Sequence, residues 1–236
     1  MTAIEGHTLS LDIGGSGIKG MVLDATGQPL NDKIRIPTPR PATPEAVLDT
    51  VAQVAARQPA FDRVSVGFPG VVSGGIVSTG ANFDGDWSHV PLARRIAELT
   101  GKPCRAANDA DVQGYGVIEG KGLEMVITLG TGMGAAVFTN GHLAPNLELG
   151  HHPFADGVTY EELVGQAARD ELGEAAWNEW VRRAVDTMLF IWNPRVLYLG
   201  GGNAKELTVS LPDRVQIVRN VAGILGGIRL WEDESH

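Results

Sequence analysis

Three glycine-rich turns, an Asn-Asp pair and a Glu–His pair are the places where this chain could do chemistry. Residues 10–20 read SLDIGGSGIKG, an apolar run carrying Asp12, then Gly14, Gly15, Ser16 and Gly17, then Lys19. Backbone N–H groups in such a turn can be aimed at an anion, Lys19 adds a point charge, and Asp12 suits a Mg2+ ion held through water. Gly15 to Gly20 also spells G-x-G-x-x-G, but a dinucleotide clamp needs a helix to start inside that pattern. Here the apolar alternation resumes at once in IKGMVLD, which reads as a hairpin. A P-loop is excluded because glycine, not Ser or Thr, follows Lys19. The plainer alternative is that these glycines only supply positive φ for a tight turn.

TLGTGMGAA at 128–136 repeats the strand-turn-strand pattern with Gly130, Thr131 and Gly132 at its tip, and YLGGGN at 198–203 ends a third strand in Gly200, Gly201 and Gly202. Three such turns facing one cleft would hold a phosphate chain or a nucleotide from both sides. AANDAD at 106–111 puts Asn108 and Asp109 at a strand end, where an amide can bind hydroxyls, and leaves Asp111 as a first-turn helix carboxylate. ELGHH at 148–152 spaces Glu148 and His151 so that they can share vicinal hydroxyls.

The elements that must position these groups are legible in outline. HTLSLDIGG, IKGMVLD and PLNDKIRIPT form a three-strand meander. TPEAVLDTVAQVAARQ shows helical spacing with Thr43 as cap, Pro44 as first helical residue and Glu45 in the first turn. RVSVGFPG is a strand, VPLARRIAELTG a helix closed by Gly101, and KPCRAANDA a strand. From Glu124 the pattern starts again with two strands, an Asn-Gly hairpin and a third strand. A helical stretch over 159–192, broken near Gly173, follows, and then the strand PRVLYLGGGN. Two similar halves are therefore expected, 1–108 and 109–236, with a C-terminal helix that packs back on the first.

The bulk numbers agree with an ordinary folded α/β protein of 236 residues, 43% hydrophobic and 20% charged. A formal charge of −9 argues against general nucleic-acid or membrane-surface binding. One cysteine, Cys104, permits no internal disulfide, and the absence of a long apolar run or a basic-then-apolar start points to the cytoplasm.

LDIGGSGIKG, GFPGVV, NDADVQGYG, ITLGTGMGAAVFTNG, NLELGHH and LYLGGGN together resemble the motifs of the ROK family of sugar kinases, over nearly the whole chain from Leu11 to Gly202. GGSGIKG, in place of the commoner Gly-Gly-Thr form, resembles the polyphosphate glucokinase branch. The resemblance implies an actin-like ATPase fold, two ribonuclease H-like halves around a cleft, and a homodimer. It implies transfer of a terminal phosphoryl group from inorganic polyphosphate, or ATP, to the 6-hydroxyl of glucose with Mg2+. Asp109 would be the general base, and Asn82, Asn108, Glu148, His151 and Glu161 (or Glu162) would contact the sugar. Kinases for mannose, fructose or N-acetylated sugars share these motifs. ROK regulators carry an N-terminal helix-turn-helix, for which the fewer than about ten residues before the first strand are expected to leave no room. HHPFADGVTYEELVG has no cysteine where many relatives hold zinc, so no structural zinc is expected.

Overall fold

The computed structural model describes residues 6–80, 83–144, 147–218 and 226–232. β1 (Thr8–Gly14) turns through Gly15 and Ser16 into β2 (Gly17–Leu23), an antiparallel pair that sets Asp12 opposite Lys19. β3 (Ile34–Ile36) adds to β2 with Arg35 opposite Lys19. α1 (Pro44–Ala56) starts where the capping signals place it, the Thr43 side chain accepting from the Ala46 N–H. Its Val47, Leu48, Val51 and Val54 are buried against the sheet. β4 (Arg63–Phe68) is buried throughout, as a central parallel strand must be. A small hairpin, β5 (Val72–Ser73) with β6 (Ile76–Val77), leads to α2 (Leu92–Thr100). β7 (Cys104–Asn108) and α3 (Asp109–Tyr115) follow. The sheet order is β3-β2-β1-β4-β7, with β1, β4 and β7 mutually parallel.

β8 (Leu123–Leu129), β9 (Met133–Thr139) and β10 (His142–Ala144) open the second unit as another antiparallel meander. Asn140 and Gly141 both take positive φ between β9 and β10, the backbone that a tight hairpin demands. β11 (Pro153–Ala155) and β12 (Val158–Thr159) pair with each other ahead of α4 (Tyr160–Val164), α5 (Gln166–Leu172) and α6 (Glu174–Trp192). β13 (Val196–Gly200) runs parallel to β8 and to β14 (Val215–Ile217), giving the order β10-β9-β8-β13-β14. Each unit thus has the same strand order and the same directions. This is the ribonuclease H-like unit twice over, the actin-like ATPase fold. Trp177 fills the second core, fully buried, with its Nε1–H donated to the Val164 carbonyl at 2.9 Å.

Three details differ from the sequence reading. The helical stretch breaks at Gly165 as well as Gly173. The chain divides after Gly116 rather than after Asn108, because α3 packs on β4, β7 and the C-terminal segment. That segment joins the first unit as a 3-10 turn over Gly226–Trp231, and the rest of the expected closing helix lies outside the described residues. Ser65 Oγ donates to the Gly227 carbonyl at 2.6 Å and accepts from Trp231 Nε1 at 2.9 Å. The guanidinium groups of Arg63 and Arg105 lie over the Trp231 ring at 5.1 and 4.9 Å. Among the described residues no helix is long and apolar enough to cross a membrane.

Candidate active site

The first hairpin is built from its carbonyls inward. Thr38 Oγ1 donates to the Gly14 carbonyl, Arg40 Nη2 to Gly15 at 3.1 Å and Arg35 Nη2 to Ser16 at 2.7 Å. Three consecutive carbonyls are thereby tied back by side chains of 35–40, so the negative ends of these peptides face protein donors. None of Gly14, Gly15 or Gly17 has a left-handed φ, so the turn alone does not demand them. Gly17 lies against the Arg35 guanidinium: a Cβ there would meet Arg35 Nε at 2.5 Å and push that side chain aside. Over Gly15 the space is open. Lys19 Nζ sits 2.8 Å from Asp12 Oδ2, an ion pair with both side chains mostly buried.

Asp12, Gly67 and Ala107 share one row of the parallel strands β1, β4 and β7, and the Asn108-Asp109 pair lies just beyond it, where β7 ends. Ligands of open α/β sheets bind off this edge. Asn108 is the N-cap of α3: its Oδ1 accepts from the N–H groups of Ala110 (2.8 Å) and Asp111 (3.3 Å). Its Nδ2 donates to the Gly70 carbonyl at 3.1 Å. Both ends of this amide are thus engaged in holding the chain, and it orients Asp109, the first residue of the helix. Asp109 Oδ1 accepts from the Ala110 N–H at 2.7 Å. Asp111 is 2% exposed, a buried member of the same first turn. Asn82 lies outside the described residues.

In the second unit the other candidates come together around the β8–β9 turn. The Gly130 carbonyl accepts from Gln166 N–H (3.0 Å) and Asn203 Nδ2 (3.1 Å), and the Thr131 carbonyl from Gln166 N–H (3.2 Å). Carbonyls are tied back here as in the first hairpin. Asn203 follows Gly200, Gly201 and Gly202, so the third glycine run is bound directly to the second turn. Glu161 Oε2 accepts from the Met133 N–H at 3.3 Å and lies against Gly132, where any Cβ would collide with it. Glu162 is spent elsewhere, in a capping box with Thr159. Of the two glutamates between which the sequence leaves the choice open, Glu161 meets the β8–β9 turn and Glu162 caps α4.

Glu148 and His151 bracket a 3-10 turn over Leu149–His151, and His151 Nε2 stands 3.5 Å from Glu148 Oε2. Gly150 packs against the Met133 carbonyl, seating that turn on β9. Burial raises the Glu148 carboxyl above its ordinary value, the His151 charge pulls it down and the nearby Glu161 pushes it up again, with a net rise. His152 is held apart, its Nδ1 at 2.8 Å from the Pro153 carbonyl.

Sequence reasoning did not find Arg35, Thr38, Arg40 or Gln166. The only signal for the arginines is KIRIPTPR at 33–40, three cations without a carboxylate.

Comparison with known proteins gives a consistent answer. Residues 8–159 match the model of the ROK family. The chain is 36% identical over 238 residues to the polyphosphate glucokinase of Mycobacterium tuberculosis, covering 93% of this chain and 89% of that protein. It is 35% identical over 236 residues to an N-acetylmannosamine kinase of Escherichia coli, covering 96% and 79%. The crystal structure of an inorganic polyphosphate/ATP-glucomannokinase from Arthrobacter sp. strain KM superposes with a TM-score of 0.86 at 36% identity, covering 95% of this chain and 97% of that one.

Proposed function

The chain belongs to the ROK family, and on that premise we propose that it is a sugar kinase transferring the terminal phosphoryl group of inorganic polyphosphate, and of ATP as well, to the 6-hydroxyl of glucose. The observation that carries the reading is the paired glycine turns, one in each unit, whose tip carbonyls are tied back by neighbouring donors. Such turns leave N–H groups to meet phosphate oxygens. The polyphosphate glucokinase and glucomannokinase relatives support the donor and the sugar.

In the reaction the sugar oxygen attacks the terminal phosphorus, the bond to the bridging oxygen of the donor breaks, and the hydroxyl proton passes to the Asp109 carboxylate. Asn108 fixes Asp109 at the head of α3. Glu148, His151 and Glu161 bind sugar hydroxyls, the carboxylates accepting and the imidazole sharing one of them. Asn82 belongs to the same sugar set in this reading. Asp12 would hold Mg2+, a fit for its single carboxylate, since Mg2+ takes one or two carboxylates and fills its remaining positions with water and phosphate oxygens. When bound, that ion neutralises charge on the donor phosphates. The reading includes no structural zinc, places the enzyme in the cytoplasm and makes it a homodimer. The exposed Phe190 and Ile191 at the end of α6 are in keeping with self-association.

A coupled assay for glucose 6-phosphate, with polyphosphate and ATP at equal phosphate equivalents, tests the proposal. Turnover with polyphosphate is expected to exceed that with ATP by about tenfold, a transition-state difference of about 1.4 kcal/mol. Turnover with ATP alone overturns the polyphosphate assignment, and silence with both overturns the sugar assignment.

A further inference from the structure

A long polyanion needs positive surface along its path, yet the chain as a whole carries −9. The strand register supplies a local answer. Asp12, Lys19 and Arg35 stand directly opposite one another across β1, β2 and β3, one row of side chains on one face. Lys19 is matched by Asp12 at 2.8 Å, and Arg35 is left as the outermost and unmatched cation of the row. Among the described residues no carboxylate forms an ion pair with Arg35. Like charges set directly opposite destabilise a sheet, so the bond from Arg35 to the Ser16 carbonyl is made at a cost beside Lys19. Arg40 stands over the neighbouring carbonyl, its nearest carboxylate, Asp84 Oδ2, a loose 3.7 Å away and already accepting from the Ala42 N–H at 2.6 Å.

Both guanidinium groups are exposed, and each gives one N–H to a carbonyl of the hairpin tip. That single bond sets the orientation of the planar fork and leaves its other donors for a ligand. Two forks fixed beside successive residues, Gly15 and Ser16, suit a row of phosphates, which guanidinium binds through paired hydrogen bonds. Holding the forks in place beforehand also removes much of the ordering cost of binding. The glycine at 17 fits this account, since Arg35 Nε occupies the space that any side chain would need.

We propose that Arg35 and Arg40 form a cationic rail beside the first hairpin that receives the phosphates of an inorganic polyphosphate chain lying beyond the one transferred. The inference rests on the reading of the protein as a polyphosphate-using kinase and adds the residues that select a chain.

The test uses the full-length protein and its Arg35→Gln, Arg40→Gln and double variants. Glutamine keeps an N–H donor for the hairpin carbonyl and removes the charge. Binding of long-chain polyphosphate is measured by titration calorimetry at several salt concentrations, and turnover with long-chain polyphosphate, tripolyphosphate and ATP is measured alongside. For the double variant, Kd and KM for the long chain are expected to rise about tenfold or more, as loss of charge-assisted bonds requires. The rise should be smaller for tripolyphosphate, with the long-chain loss confined to KM. The slope of log Kd against log salt should fall by about 0.7 for each arginine removed, the counterion release of a single-stranded polyanion. Unchanged long-chain Kd and KM, in a protein whose wild type turns polyphosphate over, refute the rail and leave the kinase reading standing. A kcat that falls equally with every donor also refutes the rail and makes the arginines mere supports of the hairpin. A wild type that uses ATP and binds no polyphosphate refutes the kinase's donor assignment and the rail together.

Discussion

At Asp109 one oxygen accepts from the backbone of α3 while the carboxylate serves as proton acceptor in the proposed reaction. Asparagine can make the same backbone bond, so Asp109→Asn should keep the fold and lose the base. A positioned base contributes about 10²–10⁴ in rate, so kcat should fall at least about 10²-fold, near 3 kcal/mol. An unchanged melting temperature with that loss supports the role, and wild-type turnover rules it out. Glu148 makes a pH prediction. Burial holds its carboxyl above the ordinary 4.5, so it takes up a proton earlier on acidification than a free glutamate does. Protonation removes the acceptor for sugar hydroxyls. KM for glucose should therefore climb on the acid side with a midpoint above 4.5, and Glu148→Gln should flatten the climb. A KM that stays level until well below that value would contradict the assignment.

Among the elements, the β8–β9 turn and α4 act as one piece, because Glu161 lies where a side chain on Gly132 would have to go. Gly132→Ala must displace either the carboxylate or the turn. A misplacement of about 1 Å in a site can cost about 10²-fold, the expected loss in kcat/KM. If the loss runs through Glu161, the Gly132→Ala/Glu161→Gln pair should be far less than additive in a double-mutant cycle. Additive losses would show that the glycine acts alone. These contacts also mark how far the sequence could be read. The α1 start, the Asn-Gly turn and both glycine hairpins are local patterns, set within a few residues by capping and turn geometry, and they are legible. Asn108 is legible as a polar residue at a strand end, but its use as a helix cap follows only once α3 is known to start at Asp109. Arg35 and Arg40 reach carbonyls 19 and 25 residues away, and no periodicity records such a contact. The separate duties of Glu161 and Glu162 depend on which face of α4 meets the turn. The break at Gly165 is set by the same contact, since Gln166 leaves the helix register to bond with Gly130 and Thr131.

At the scale of the whole molecule, the loop that opens the second unit is held within that unit by one buried carboxylate. Glu124, with a fully buried side chain, accepts from the N–H groups of Glu119, Gly120 and Lys121 at 2.7–2.9 Å, from Tyr198 Oη at 3.1 Å and from Arg195 Nη2 at 3.0 Å. Burial pushes its carboxyl up, but the backbone and Tyr198 donors outweigh that and hold it below 4.5; burial and the Glu124 bond together push the Tyr198 phenol up to about 12. A carboxyl depressed in the folded state lends stability that is complete above its ordinary value and lost as pH falls through the folded one. Glu124→Gln should therefore cost about 2 kcal/mol near neutrality. The gap from wild type should close as the pH drops below 4.5, read from denaturant unfolding across that range. A gap independent of pH would mean that the ionised form contributes nothing.

The seam between 226–232 and β1, β4 and α3 has a consequence for how the protein is made. Those residues leave the ribosome only after the entire second unit has been synthesised, roughly 5–20 s after Gly116 at ordinary elongation rates. Until then Ser65 lacks Gly227 and Trp231, and the arginines at 63 and 105 lack the ring they stack upon. The half that is translated first is thus the half that is completed last, and a nascent chain stalled within unit two would present to the chaperones a sheet complete in its strands but still lacking the cover of 226–232.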